Sequence, residues 1–267
     1  MNTYIDKELG IKRVEKPLLA FSLATLVTIL FLITALMGCS DSSTEPINTG
    51  QISMTSKYST SNILSKTVVP ERNLTGMTAI DSIRITRARF VLRDIKYKTQ
   101  SDSSNFRAAP FVLELNLSSA LQDISVAEVP FGAYRRIEFD VHRINTNDVN
   151  SLPASEQVQF QDFLAGDRYS IIVSGTTYTG GQPATFTFRS RVNVKQKIDL
   201  VPELVVSQPS PAVNATMLIS SSGWFTSSSG ALLDPTDPQN ENTISDNLRA
   251  SIKVFKDNNK DGSKDAN

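Results

Sequence analysis

From about residue 80 onward, apolar and polar side chains alternate in short runs that are separated by turn residues. Successive side chains of a β-strand point to opposite faces, so this alternation predicts strands that are buried on one side. The clearest runs are 111–117 and 134–144. Further strands are predicted at 81–97, 169–178, 184–194, 197–206, 213–220 and 250–256. A chain of regularly spaced short strands is expected to fold as an all-β protein.

Two irregularities refine this prediction. In the run 81–97 the apolar side chains move from Ile83 and Ile85 to Ala88 and Phe90, which indicates a β-bulge near Arg87. The runs 169–178 and 184–194 flank Gly180-Gly181-Gln182-Pro183, a typical hairpin turn because glycine adopts positive φ without strain.

One helix is predicted at 153–166, where Ser155 is a candidate N-cap and Gly166 a candidate terminator. Phe160, Phe163 and Leu164 would share its apolar face. The fold class expected is therefore an antiparallel β-sandwich, immunoglobulin- or transthyretin-like, with one short helix. The hydrophobic fraction of 40% is sufficient for a core.

The N-terminal segment has the character of a membrane-inserting leader. Residues 1–16 are polar with four cations, and 17–38 contain no charge. Roughly 20 apolar residues cross the hydrocarbon core of a bilayer, so length alone permits either a permanent span or a cleaved signal.

The end of the leader favours cleavage. Leu36-Met37-Gly38-Cys39 resembles the lipobox of bacterial lipoproteins. That resemblance implies a signal peptide at 1–38, removed after a diacylglyceryl group is attached to the Cys39 thiol, with further fatty acylation such as palmitate. Ser40 is compatible with sorting to the outer membrane, on its periplasmic or its cell-surface face. A single-pass membrane protein with the same extracytoplasmic domain is the alternative. Cys39 is the only cysteine, which excludes an internal disulfide.

The remaining chain divides by composition. Residues 39–75 are rich in Ser and Thr and are expected to form a tether, within which alternation at 50–58 allows a first edge strand. Residues 76–256 would form the β-sandwich, as one domain or two, and 257–267 an acidic loop and tail.

Within residues 80–145, the order IRITRARFVLRDIKY, PFVLEL and a Pro-x-Gly-x-Tyr turn is similar to a family of uncharacterised β-sandwich domains in lipoproteins of Gram-negative bacteria. The family implies a surface or periplasmic domain. It has no assigned chemistry, so it implies no active-site residues.

The sharpest local motif is DNNKDGSKD at 257–265. Oxygen-bearing side chains alternate around Gly262, as in the first nine positions of an EF-hand loop, at Asp257, Asn259, Asp261, Ser263 and Asp265. The bidentate acid expected at position twelve would follow Asn267, and the preceding SIKVFK has strand rather than helix periodicity. The prediction is a weak Ca²⁺ site after a strand, completed by Asp234, Asp237 or Glu241, with a solvated acidic tail as the alternative.

No catalytic residue is predicted. His142 is the only histidine, and alternation places it outward on an ordinary strand, which disfavours a Ser-His-Asp catalytic triad.

The 27 basic and 27 acidic residues give no net field that would attract nucleic acid. Arg189, Arg191, Lys195 and Lys197 would share one strand face, either to hold a polyanion or to keep that face soluble.

Trp224 and Phe225 lie in a Ser/Gly-rich context and are either a sugar-stacking platform or core residues. The predicted function is a lipid-anchored envelope protein without an enzymatic site. A glycan-binding module predicts Trp224 or Tyr178 exposed in a groove, whereas a structural partner of an envelope protein predicts a paired sheet edge and buried aromatics.

Overall fold

The computed structural model describes residues 48–59, 80–100 and 109–266, together with the backbone of 63–65 and 103–107. Within these residues there are twelve strands: β1 Thr49–Ser59, β2 Ile63–Ser65, β3 Ser82–Lys98, β4 Ser103–Arg107, β5 Phe111–Glu114, β6 Gln122–Pro130, β7 Gly132–Val141, β8 Ile171–Thr179, β9 Gln182–Ser190, β10 Val194–Val206, β11 Ala212–Ser220 and β12 Ile252–Lys256. The α-helices of the same residues are α1 Thr146–Asn150, α2 Ala154–Gln157, α3 Gln161–Leu164 and α4 Glu241–Ala250. Two 3₁₀ turns, Val158–Phe160 and Pro238–Asn240, precede α3 and α4.

The strands form two sheets. The smaller sheet has the order β12-β11-β1-β6, and the larger has the order β10-β7-β3-β8-β9, with β2, β4 and β5 also pairing with β3. The main core combines buried side chains of both sheets, among them Met54 and Met217 from the smaller sheet and Phe90 and Phe139 from the larger. A mostly β fold with two sheets is therefore confirmed. The antiparallel expectation fails at one place, because β1 and β11 pair in parallel.

The predicted bulge and hairpin are both present. The pairing of β3 with β8 shifts register between Ile85 and Arg87. Thr179 pairs with Gln182 across a two-residue turn in which Gly180 and Gly181 have φ of 56° and 78°. Positive φ at both central residues is the conformation that favours glycine in such hairpins.

The helix predicted at 153–166 is interrupted. Its residues form α2, a 3₁₀ turn and α3, and the N-cap position of α2 is Pro153 rather than Ser155, without a side-chain hydrogen bond. Phe160 and Phe163 are nevertheless buried as expected. They pack with α1 residues in a second core on the outer side of the large sheet, against Val91 and Ile172.

The expectation of a single helix is wrong, because α1 and α4 are also present. Ile244 and Leu248 lie one turn apart on α4 and are fully buried. The strand predicted at 50–58 exists as β1, but it is not an edge strand. It lies between β11 and β6, so part of the predicted tether belongs to the folded core.

The leader at 1–38, Cys39 and most of the tether lie outside the described residues. Among the residues that the structure does describe, no helix has both the length and the apolar character required to cross a bilayer.

Candidate functional site

The C-terminal loop lies on the outer face of the small sheet. Alternation along β1 and β11 sends Ile52, Met54, Val213 and Ala215 inward. The intervening residues are polar, and parallel pairing places Ser53 beside Asn214 and Thr55 beside Thr216. The segment after β12 packs on this polar patch, so that Thr55 and Thr216, although on the outer face, are buried.

A hydrogen-bonded network fills this contact. The Asn214 side-chain amide donates to the hydroxyls of Thr55 and Thr216, each at 3.2 Å, and to the carbonyl oxygen of Asp257 at 3.0 Å. The Ser53 hydroxyl donates to Asn214 Oδ1 at 2.8 Å. Buried polar groups are costly unless they are paired, so this network fixes the loop on the sheet.

Asp257 is the centre of the loop and is fully buried. Its Oδ2 accepts from the Thr216 hydroxyl at 2.6 Å and from the backbone N–H of Gly262 at 2.9 Å. Its Oδ1 accepts from the backbone N–H of Asp261 at 3.1 Å. These bonds close a tight reversal in which Gly262 has φ of 76°, a conformation that side chains disfavour.

The other predicted ligands lie further out. Asp261 Oδ2 accepts from the Asn259 amide at 2.9 Å, and Asp261 Oδ1 accepts from the Ser263 backbone N–H at 2.7 Å. The Asn259 amide, followed by the Ser263 backbone, holds the pKa of Asp261 below its ordinary value. Asp265 Oδ2 accepts from the backbone N–H of Asn258 at 3.0 Å.

A lysine also reaches the loop. Lys57 Nζ donates to the carbonyl oxygens of Asp261 and Gly262 at 3.3 and 3.2 Å.

The described residues contain no group of three or more His, Cys, Asp or Glu side chains placed to hold a metal ion. The three acids expected to complete the site make other contacts: Asp234 with Thr236, Asp237 with Gln239, and Glu241 with Arg191.

His142 is buried rather than exposed to solvent. It directly follows β7, and only 6% of it is exposed. Its Nε2 lies 2.9 Å from Asp148 Oδ2 and its Nδ1 lies 3.3 Å from Asn193 Oδ1. Asp148 also forms a capping box with Asn145 at the start of α1. Both ring nitrogens therefore have partners in a structural contact between β7, α1 and the link before β10.

Trp224 and Phe225 are core residues, so the second of the two alternatives is confirmed and Trp224 does not form an exposed platform. Both are fully buried. The Trp224 ring makes edge contacts with Tyr58 and Phe90, at centroid distances of 6.3 and 6.0 Å. Its Nε1 donates to the Ser251 hydroxyl at 2.9 Å. Tyr178, the other candidate, is half-buried on β8.

The predicted cationic row does not form. Arg189 lies on β9 and Lys195 and Lys197 lie on β10, and these strands are at opposite ends of the large sheet. Arg191 lies in the link between them, where its guanidinium bonds to both carboxylate oxygens of Glu241 at 3.0 and 2.7 Å. The error arose because 184–194 was treated as one continuous strand.

Comparison with known proteins adds little. No family model matches the chain, and no curated protein matches it. Among solved structures, the chain is similar to MbnP from Methylosinus trichosporium, with 9% identity, a TM-score of 0.41, and coverage of 79% of this chain and 99% of that one. A likeness at this level carries no inference about fold or function.

Proposed function

We propose that the chain is a lipoprotein of the bacterial cell envelope, anchored through Cys39 in the outer membrane and acting without catalysis as a binding or structural module. The observation that carries the anchor is the Leu36-Met37-Gly38-Cys39 motif at the end of an uncharged apolar run. One acyl chain holds a protein only marginally at a membrane, whereas two or three give stable attachment.

The non-enzymatic part rests on His142. A general base needs a ring nitrogen that reaches a substrate proton. Asp148 and Asn193 engage the two nitrogens of this buried ring. The immunoglobulin- or transthyretin-like class and the Gram-negative β-sandwich family belong to the same proposal. The described β-rich, two-sheet fold supports both.

The anchor is tested by expressing the full chain in a Gram-negative host with and without globomycin, an inhibitor of lipoprotein signal cleavage. The proposal predicts a larger precursor with the inhibitor. A Cys39→Ser variant should lose the lipid and show no inhibitor-dependent shift. Identical mobility of the wild-type chain under both conditions would favour the uncleaved single-pass alternative.

Binding of Ca²⁺ by the loop 257–265 is a second proposal. It is supported by the exposed oxygen-bearing side chains of Asn259, Asp261 and Ser263, which lie in the tight loop that Asp257 closes around Gly262. The Lys57 ammonium beside the loop opposes a cation. We expect weak affinity, on the order of 10⁻⁴–10⁻³ M, as in extracellular modules.

Calorimetry with CaCl₂ on the full chain in detergent tests the second proposal. Asp261→Ala should abolish the heat signal, and Lys57→Met should strengthen binding by removing the nearby charge. No signal for the wild-type chain at several millimolar calcium would refute it.

A further inference from the structure

The outer side of the large sheet carries a group of arginines, Arg84, Arg87, Arg89 and Arg189, which we name the arginine face. Three of them belong to β3 and one to β9, with β8 between. Pairing places Arg89 beside Ile172 and Ile172 beside Arg189, so these three side chains occupy one row across the sheet. Directly paired residues project to the same side, and the four arginines therefore share one face.

The bulge in β3 creates this arrangement. Upstream of it Ile83 and Ile85 point into the core and Arg84 points outward. Strict alternation would then send Arg87 inward with Ile85. The register shift at Thr86 reverses the phase, so that Ala88 and Phe90 enter the core and Arg87 is exposed. Bulges commonly re-aim side chains in this way.

The strands that form the face contribute no negative charge. The segment 82–92 of β3, together with β8 and β9, contains neither Asp nor Glu, and no Lys. The acids that reach the face come from neighbouring elements. Glu114 of β5 bonds to Arg87 at 2.9 and 2.7 Å, and Asp162 of α3 bonds to Arg89 at 2.6 Å.

The four arginines outnumber the two carboxylates bonded to them, so the face carries a net positive charge. The hydrogen bond from Arg89, and then the charge of Arg89, lower the pKa of Asp162, with smaller contributions from Arg87 and Arg189. The Asp162 side chain is 60% exposed, so it senses the charge at the surface rather than in the core. Opposite charges favour the ionised carboxylate, and the same field would attract an external anion.

A helical segment borders the arginine face, and hydroxyl side chains lie on the same face as the arginines. The helical segment 146–164 covers one end, where the Arg89 guanidinium lies 5.2 Å from the ring centroid of Phe163. Away from this helical segment, β9 exposes Thr185 and Thr187, and β8 carries the half-exposed Thr176 beside Arg84. Among the described residues, guanidinium groups and hydroxyls therefore share the outward positions of β3, β8 and β9.

The use of arginine distinguishes this face from a merely solubilising one. Sheet edges are usually protected by lysine, as on the edge strand β10 with Lys195 and Lys197, whereas the other edge strand, β9, carries Arg189 and no lysine. Arginine presents a planar fork that binds carboxylate or sulfate through two parallel hydrogen bonds, and it is less strongly hydrated than lysine. Arg84 and Arg189 present exposed side chains, whereas Arg87 is bonded to Glu114 and Arg89 is buried.

We propose that the arginine face binds an acidic polysaccharide, with Arg84 and Arg189 engaging its carboxylate or sulfate groups and the threonine hydroxyls engaging its sugar hydroxyls. Neighbouring strands are about 4.8 Å apart and alternate residues of one strand are roughly 7 Å apart, so donors repeat across an extended plane. Such a plane suits a polymer that lies along it. The inference rests on the binding-module part of the proposed function and is independent of lipidation at Cys39.

Binding is measured by fluorescence anisotropy of labelled polygalacturonate and dextran sulfate, with uncharged dextran as the reference polymer. The full chain is used in a non-ionic detergent, so its state of lipidation does not affect the readout. We expect binding to both acidic polymers that weakens as NaCl rises, and none to dextran. Arg84→Gln with Arg189→Gln should weaken it at least about tenfold, because two charge-assisted contacts are lost.

The matched control is Lys195→Gln with Lys197→Gln, which removes the same charge at the other end of the sheet and should change affinity less than about twofold. Thr185→Glu, which keeps every arginine, should also weaken binding and covers the case in which the arginine variant misfolds. Equal losses in the arginine and lysine variants would overturn the proposal. Equal affinity for poly(U) RNA, or no binding to either acidic polymer, would also overturn it.

Discussion

Replacement of Asp257 tests whether the C-terminal loop is part of the folded core. This carboxylate accepts three hydrogen bonds in a fully buried position, from the Thr216 hydroxyl and from the backbone N–H groups of Asp261 and Gly262. Asp257→Ala removes this carboxylate, so the three donor groups lose it as their acceptor. The hydroxyl and the Gly262 N–H are buried, so water cannot readily replace the lost partner.

The size of the effect follows from these contacts. Leaving a buried donor unsatisfied costs about 1–3 kcal/mol. Two such donors and one partly buried donor give an expected loss of about 3–5 kcal/mol in the free energy of unfolding. A small domain typically has about 5–15 kcal/mol in total, so the variant should be marginally stable. Asp257→Asn keeps one carbonyl acceptor and should lose only about 1–2 kcal/mol.

Urea denaturation followed by Trp224 fluorescence measures these losses, with EDTA present so that calcium makes no contribution. Asp265→Asn is the matched control, because its carboxylate accepts one hydrogen bond, from the Asn258 backbone, in a partly exposed position. Its loss should stay below about 1 kcal/mol. A loss below about 1 kcal/mol for Asp257→Ala would refute the view that the loop is integral to the fold.

Three further outcomes are expected. Iodide should quench Trp224 poorly, and Trp224→Ala should cost about 3–5 kcal/mol in urea unfolding followed by circular dichroism, because the indole is fully buried. The Arg87 guanidinium lowers the pKa of Glu114, so the pair stabilises the fold above the ordinary glutamate pKa and loses this contribution on acidification. The pair is half exposed, so Glu114→Gln should change acid stability by less than about 1 kcal/mol in a pH titration of unfolding. Gly175→Ala should lower the melting temperature by several degrees, because its Cβ would clash with the Arg84 carbonyl oxygen; an unchanged melting temperature would contradict that packing.

The local features of the fold could be predicted from the sequence. Alternation gives the face of each strand directly, and the phase change after Ile85 gave the bulge, because both are properties of consecutive residues. The Gly180-Gly181 turn was predictable for the same reason. The helix α4 was missed, although Pro238 at a helix start and the spacing of Ile244 and Leu248 were available signals.

The sequence does not indicate which strands pair with each other. The neighbours of β1 are β11 and β6, which come far later in the chain, so its central position has no local signature. The polar network beneath the loop depends on the same pairing. Hydroxyl residues at alternate positions, such as Thr55 and Thr216, have the pattern of solvent-facing residues, and they are buried because the loop packs over them. Long-range pairing also decides that Arg189 joins the arginines of β3 rather than the lysines of β10.

The most direct test of the lipoprotein assignment is the intact mass of the chain recovered from the membrane fraction. The expected mass is that of a polypeptide beginning at Cys39, increased by a diacylglyceryl group with or without an additional acyl chain. A polypeptide that retains residues 1–38 with an unmodified thiol at Cys39 would contradict it.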